Sequence, residues 1–256
     1  MKRAARAVVG NLLQEIRLRI FIHDFIRRST GGADARELRR ELVRRFRTIH
    51  RRVHCAHQEA ELLIIAEAIL TSPLQGPVVE LGCYRGGSTA KLSLACRAAG
   101  RRLIVCDSFA GLPSPECEDA VHVVKTGRVK AYSAGDYSAT LDDVKRTVQQ
   151  WGAPERCEFV PGYYEQTLPG LAVSPAVVFE DADLIESGRT IFRHLWPRLP
   201  SGAKFFTHEA SVDTYTNAVF DPKWWHETLG ECPPMLYGAG YGFGQHALNL
   251  GWCEKR

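Results

Sequence analysis

The chain has 256 residues, about one and a half times a typical domain. Hydrophobic residues make up 45% of it and charged residues 24%, an ordinary globular balance that excludes a disordered or fibrous protein. The net charge of +4 hides an asymmetry: residues 1–53 hold 15 Lys/Arg against 5 Asp/Glu, while the remainder is mildly acidic.

No stretch approaches the roughly 20 uninterrupted apolar residues that a membrane-spanning helix needs. The N-terminus reads MKRAAR, then AVVGNLL, and meets Glu15, Arg17 and Arg19 at once with no small-residue cleavage site, which argues against a secretory signal. Leu18, Phe21, Ile22 and Phe25 then follow the i, i+3, i+4, i+7 rule of an amphipathic helix, broken by Ser-Thr-Gly-Gly at 29–32. A second helix repeats the pattern with Leu42, Phe46, Ile49 and Val53, and His54 and His57 are placed three apart at its end. A third runs from Glu59 to Leu70 and stops before Thr71, Ser72 and Pro73. Residues 1–75 are therefore read as a basic helical extension that caps a core or builds a homo-oligomer interface. Contact of residues 1–53 with a membrane surface is the alternative, and no nucleic-acid partner is expected.

From residue 76 the periodicity changes. Pro77–Leu81, Arg102–Asp107, Cys157–Pro161, Ala176–Asp181 and Lys204–Thr207 are short apolar runs. Between them lie helical stretches at Ser88–Ala99, Leu141–Trp151 and Gly188–Leu199. Continuous apolar strands alternating with helices predict a parallel sheet covered on both faces. Met235–Tyr237 and Ala247–Trp252, separated by GAGYGFG, predict a closing antiparallel pair. Residues 76–256 thus read as one α/β domain. The eight cysteines contain no C-x-x-C pair, and several sit in apolar runs, a pattern expected of reduced thiols in the cytoplasm.

The first strand ends in VVELGCYRGGSTAKLS. Glycines in a strand-to-helix turn permit positive φ and close approach of a ligand, and the helix start offers free N–H groups. The spacing is not the dinucleotide G-x-G-x-x-G, because Gly82 and Gly86 are four apart with no glycine at 84. Some twenty residues on, the second strand ends in Asp107, placed to accept both hydroxyls of a ribose. An adenosine without pyrophosphate, as in S-adenosylmethionine, suits this pattern better than a dinucleotide.

Six pieces in order, VELGCYRGGS, VCDSFAGLP, YSATLDDVKRTVQQWG, EFVPGYYEQTLP, DADLIES and LWPRLPSGAKFF, resemble the macrocin O-methyltransferase family of class I S-adenosylmethionine-dependent methyltransferases. The resemblance spans Val78 to Thr207. It implies a Rossmann-like, doubly wound sheet of seven strands, mostly parallel with the last antiparallel, plus N-terminal helices. It also implies S-adenosylmethionine as cofactor and methyl transfer to a hydroxyl of a small molecule, typically a sugar or other natural product. Carried over residue by residue, Glu80, Gly82, Tyr84, Gly86 and Ser88 fall on the cofactor loop, with Glu80 either touching ligand or supporting the loop, and Asp107 on the ribose acid. Ser108 and Phe109 fall on the adjoining wall, Gly162, Tyr163 and Tyr164 near the adenine, and Asp181 also on the cofactor site.

For the chemistry, a sugar hydroxyl barely ionises at neutral pH, so a general base or a bound cation must activate it. The resemblance implies a metal site of one acid at the end of the fourth sheet strand and two at the end of the fifth. Asp181 matches the first, with Asp183 two residues on as a ligand or a helix cap. The fifth strand departs, because His208 and Glu209 stand where two acids are expected. Three readings follow. Asp181, His208 and Glu209 bind magnesium, manganese or zinc; or His208 is a general base oriented by an acid without metal; or the protein binds cofactor without transferring methyl. His54, His57, His122 and His246 are read as structural or exposed, with His122 on a segment that could form a substrate lid. Tyr215, Trp224 and Trp225 are candidate acceptor faces.

Overall fold

A computed structural model of the chain describes residues 15–16, 18–28, 32–116, 119–125, 127–238 and 249–256. Five apolar runs form the parallel part of one sheet: β1 (Val78–Leu81), β2 (Leu103–Asp107), β5 (Cys157–Pro161), β6 (Val177–Glu180) and β7 (Lys204–Thr207). β1 and β6 are buried at every position, as strands covered on both faces must be. Strands β8 (Tyr237–Gly238) and β9 (Gly251–Glu254) close the sheet in the order β5-β2-β1-β6-β7-β9-β8, with β9 antiparallel to β7. The seven-stranded sheet is the one expected. Its closing strands are shorter than the sequence pattern suggests, and Ala247 and His246 lie outside the described residues, as does the N-terminal stretch before residue 15.

Alternate residues of each strand supply two cores. Val78, Leu103, Val105, Val177 and Phe179 face one, and Val79, Leu81, Ile104, Cys106 and Val178 the other. The first core is covered by α4 (Gly87–Ala98), on which α2 (Gly32–Arg52) and α3 (Glu59–Thr71) pack. A helix over residues 18–27 (α1) adds Ile22 and Phe25 to that cluster. Phe46 and Ile49 of α2 and Leu62 and Ile65 of α3 are fully buried in it, so the apolar cluster runs unbroken across residue 75. Part of the basic excess is also accounted for. Arg39 reaches Glu67 and the Phe25 carbonyl, Arg47 reaches Glu59 at 2.7 Å, and Arg44 pairs with Glu37 and Glu41. Among the described residues no helix is long and apolar enough to cross a membrane.

The second core lies under α7 (Ile185–Leu195), α8 (Asp213–Val219) and α9 (Pro222–Leu229). Tyr215 and Trp225, expected as acceptor faces, are fully buried there; Trp225 packs on Phe192 and Trp196, and Trp224 is half-buried against the same cluster. The aromatic ring count of this stretch reports packing, not a binding surface.

The segment between β2 and β5 contains a short hairpin that the sequence pattern does not mark, β3 (Val121–Val123) and β4 (Val129–Ala131). His122, the middle residue of β3, is fully buried and lies 3.1 Å from Asp119. Asp119 in turn accepts from the backbone N–H groups of Ile185 and Glu186, so the start of α7 is capped from this segment. Asp183, the capping candidate in the sequence, instead accepts from the Tyr132 hydroxyl at 2.9 Å.

Because Ile49 is buried in the core shared with the sheet, Ile49→Ala is expected to destabilise the whole protein by about 2–5 kcal/mol. Denaturant unfolding followed at two probes, one in α2 and one in the sheet, checks this. Unchanged melting of the sheet would show that the N-terminal helices fold as a separate unit.

Candidate active site

The sheet register builds the site. Leu81 pairs with Cys106 on one side and with Glu180 on the other, and Glu180 pairs with Thr207. The residues that follow, Gly82, Asp107, Asp181 and His208, therefore leave the sheet side by side at its carboxyl edge. The chain departs from β1 in opposite directions, through β2 to one side and β6 to the other. Ligands bind at such a reversal of strand order.

A cleft of about 270 Å³ opens there. Of the residues carried onto the cofactor site, Gly82, Tyr84, Ser88, Asp107, Ser108, Gly162, Tyr163, Tyr164 and Asp181 line it, and so does His208. Asp107 is held rigidly: the N–H of Cys83 donates to one carboxylate oxygen and that of Phe109 to the other, both at 2.7 Å. Each oxygen keeps a second lone pair. The Ser108 hydroxyl is spent on its own loop, donating to the Gly111 carbonyl at 2.7 Å and accepting from Ala110. Four expected residues do not line the cleft. Phe109 turns away at φ +53° to meet Phe159 edge-on, and Gly86 caps α4 in the left-handed region. Glu80 lies under the loop, where burial pushes its carboxyl up to about 7 against the pull of the Ser88 and Thr89 hydroxyls. Glu209, the fourth, is also buried away from it.

At the deep end, Asp181 joins two imidazoles. His57 Nε2 lies 2.8 Å from one of its oxygens and His208 Nδ1 3.0 Å from the other, with the rings 4.5 Å apart. Burial would raise the Asp181 carboxyl, but His208 and His57 hold it well below the usual carboxylate range. An ionised carboxylate only accepts, so the nitrogens that face it carry protons. His57 resists the lowering effect of burial, because Asp181 raises it to about 9 despite repulsion from His208. Asp181 and Glu61 likewise raise His208 well above its ordinary value, against burial.

Two of these partners were not legible in the sequence. His57 sits in the connection between α2 and α3, not on a helix, and His54, Cys55 and Ala56 line the cleft beside it. Glu61 faces His208 Nε2 at 3.4 Å and also accepts from the backbone N–H groups of Gln58, Asn249 and Leu250. The Gln58-x-x-Glu61 spacing of a helix-capping box was the available signal for Glu61. His57 had no local signal. Lys130 and Tyr137, from the unmarked hairpin region, form the facing wall, with Tyr84 edge-on to Tyr137 at 5.7 Å.

The expected metal-ligand set is not assembled. Glu209 faces Lys130 at 3.6 Å, and burial and Asp183 push its carboxyl up to about 8. His57 takes its place near Asp181 and His208, and the facing atoms of these three lie within 4.8 Å of one another. A magnesium ion needs near-octahedral oxygen ligands. This group of three holds a single carboxylate, both of whose oxygens already accept imidazole N–H groups, while Asp183 accepts from Tyr132 and Glu61 from backbone N–H groups. The residues fit a hydrogen-bonded relay, and they do not fit magnesium.

Residues 50–218 match the family model described as macrocin-O-methyltransferase (TylF). A curated relative from Streptomyces olivaceus, named as an 8-demethyl-8-(2,3-dimethoxy-alpha-L-rhamnosyl)-tetracenomycin-C 4'-O-methyltransferase, is 32% identical over 160 residues. That match covers 60% of this chain and 60% of the relative's own length. Among solved structures, the O-methyltransferase NovP is similar at TM-score 0.61 and 20% identity, covering 78% of this chain and 83% of its own. The calicheamicin methyltransferase CalS11 is similar at TM-score 0.56 and 15% identity, covering 94% and 91%. These structural likenesses establish the Rossmann-like fold.

The raised His57 fixes a pH dependence of stability. Its folded value of about 9 exceeds the unfolded 6.5, so the stabilisation is complete below pH 6.5 and is lost as pH rises through 9. A shift of this size corresponds to roughly 3 kcal/mol. Denaturant unfolding at pH 6 and pH 9.5 is expected to show that loss in the native protein, and a clearly smaller one in His57→Asn.

Proposed function

The chain belongs to the macrocin O-methyltransferase family, and on that premise we propose that it is an S-adenosylmethionine-dependent O-methyltransferase acting on a hydroxyl of a small, sugar-bearing molecule. One observation carries this reading: the rigid Asp107 carboxylate and the His57–Asp181–His208 group open into the same cleft. The name of the curated relative supports a deoxysugar hydroxyl as the acceptor.

The cofactor fits the residues present. Asp107 keeps one free lone pair on each oxygen, which suits a ribose diol, and Gly82 lines the cleft beside it. Tyr163 and Tyr164 lie alongside as faces for a purine. When bound, S-adenosylmethionine supplies an electrophilic methyl group on a sulfonium sulfur. The chain's own task is to align the acceptor oxygen and take its proton.

His208 is the proposed base. Its Nδ1 is committed to Asp181, and its Nε2, which faces the Glu61 carboxylate at 3.4 Å, makes no hydrogen bond among the described residues. Asp181 fixes the ring and stabilises the imidazolium formed as the proton arrives, with Glu61 beyond it doing the same. This route needs no metal, which is the choice that the donor set favours. Exposed Ile16, Ile20 and Leu38 on the N-terminal helices support self-association there, and the free cysteines support a reducing, cytoplasmic setting.

Two experiments test the proposal. Asp107→Ala is expected to weaken cofactor binding by about 1–3 kcal/mol in calorimetry, the cost of an unpaired diol; unchanged affinity removes Asp107 from the site. Incubation with methyl-labelled cofactor and a panel of glycosides is expected to give turnover that survives chelators. Its rate should rise with pH above neutrality, because a base must be unprotonated and His208 titrates above its ordinary value. Asp181→Asn should move that rise toward lower pH while lowering the maximum. Loss of activity in chelator would instead make the His–Asp–His group a transition-metal site, and tight binding without turnover on any acceptor would leave a cofactor-binding protein.

A further inference from the structure

The connection that brings His57 to Asp181 carries a second group which the methyl-transfer reading does not use. Cys55 lies half-buried on the wall of the cleft, with its Sγ 3.3 Å from His57 Nδ1. His57 Nε2 in turn donates to Asp181 at 2.8 Å. Thiol, imidazole and carboxylate are thus linked in series through the two nitrogens of one ring, the arrangement by which a carboxylate holds an imidazole ready to take a thiol proton.

An independent feature points to the same sulfur. Lys91, on α4, is fully buried, and among the described residues its ammonium has no hydrogen-bonded oxygen or nitrogen. Burial lowers its pKa, and the strongest opposing influence is Cys55, followed by Glu59. A buried ammonium without an acceptor is costly unless an anion lies close by. The groups that act on the sulfur are therefore His57 and Lys91 on the positive side and Glu80 of β1 on the acidic side, while Glu59 of α3 acts on Lys91. The chain is close-packed here: a Cβ on Gly87 would lie 3.1 Å from the Cys55 Cβ.

The contrast with the other cysteines is sharp. Burial pushes the thiols of Cys106 and Cys157 up to about 12, and raises those of Cys83, Cys96 and Cys253 as well. At Cys55 burial acts in the same direction, yet His57 and Lys91 overcome it and bring the thiol down to about 7. The thiolate is the nucleophilic form, so partial exposure beside two cations is the setting of a reactive cysteine.

We propose that Cys55 is a covalent modification site, a thiolate activated by His57 and Lys91 that reacts with soft carbon electrophiles entering the cleft. In the reaction the sulfur lone pair attacks the electrophilic carbon. With an alkyl halide, the S–C bond forms as the carbon–halogen bond breaks, and halide leaves with the bonding pair. The thiol proton has already passed to His57, where Asp181 stabilises it, so no further acid or oxidant is needed. Alkylated, Cys55 no longer holds His57 Nδ1 and projects its new group into the cleft.

The test is iodoacetamide labelling of the native full-length chain, with the extent at each cysteine followed by peptide mass spectrometry. At pH 7, Cys55 is expected to react at least tenfold faster than Cys232, the exposed cysteine among the described residues. Its rate should level off within about one unit above pH 7, as a thiolate already formed gains nothing from added base. Lys91→Met should slow Cys55 several-fold and leave Cys232 unchanged. Faster labelling of Cys232, or a Cys55 rate that climbs steadily to pH 9 like an ordinary thiol, overturns the proposal. The wild-type pH profile decides the question even if the Lys91 variant fails to fold. Cofactor binding and turnover do not enter the readout, so the result stands apart from the methyltransferase reading.

Discussion

Asp181 cannot release either of its oxygens without leaving a buried imidazole N–H without its acceptor. Removing one partner from a buried ion pair costs about 3–5 kcal/mol, because the remaining charge stays in a poorly solvated place. That single constraint binds distant parts of the chain. His57 comes from the connection ahead of α3, Asp181 from the end of β6 and His208 from the end of β7. Glu61 extends the linkage into α3 and to the backbone that leads into β9. The N-terminal helices are thus fixed to the sheet twice, by the apolar cluster around Phe46, Ile49 and Leu62 and by charge at the cleft.

The same linkage decides what chemistry is available. A carboxylate with free oxygens beside a second acid would invite a hard cation. Here the oxygens are occupied, and the second acid faces elsewhere. Successive residues leaving a strand point to opposite sides. His208 turns toward Asp181, so Glu209 turns toward Lys130. A one-letter departure from the family pattern, histidine for an acid, therefore changes more than one ligand. It removes an oxygen donor and adds a proton carrier, and His57 completes a proton-holding group in place of an ion-holding one.

The sheet, its closing antiparallel strands and the cleft at its carboxyl edge were legible because their signals are local: unbroken apolar runs, a glycine turn, an acid at a strand end. The fourth and fifth sheet strands announced Asp181 and His208 for the same reason. His57 was not legible, since it is 124 residues from Asp181 and only the packing of α2 and α3 on α4 brings it there. The aromatic residues failed in the opposite sense. Trp225 and Tyr215 have surfaces that would suit a sugar, but aromatic composition does not distinguish a core from a binding face, and both are in the core. The hairpin of β3 and β4 was missed because three-residue strands carry too little periodicity to register.

Gly82 shows how closely the legible and illegible parts depend on each other. From sequence, its role is to let a ligand near the backbone. In the structure it stands at φ +86°, and a Cβ there would lie 2.2 Å from the carbonyl oxygen of Asp181. The missing side chain therefore serves the neighbouring strand as much as the cleft. It allows the end of β6 to lie against the end of β1, which sets where the Asp181 carboxylate emerges between His57 and His208. A methyl group at this position would strain the backbone conformation and push apart the two halves of the cleft, the half that Asp107 anchors and the half that the imidazoles close. Gly82 is thus the point at which the two halves meet, and the close approach it permits is what makes them one cleft.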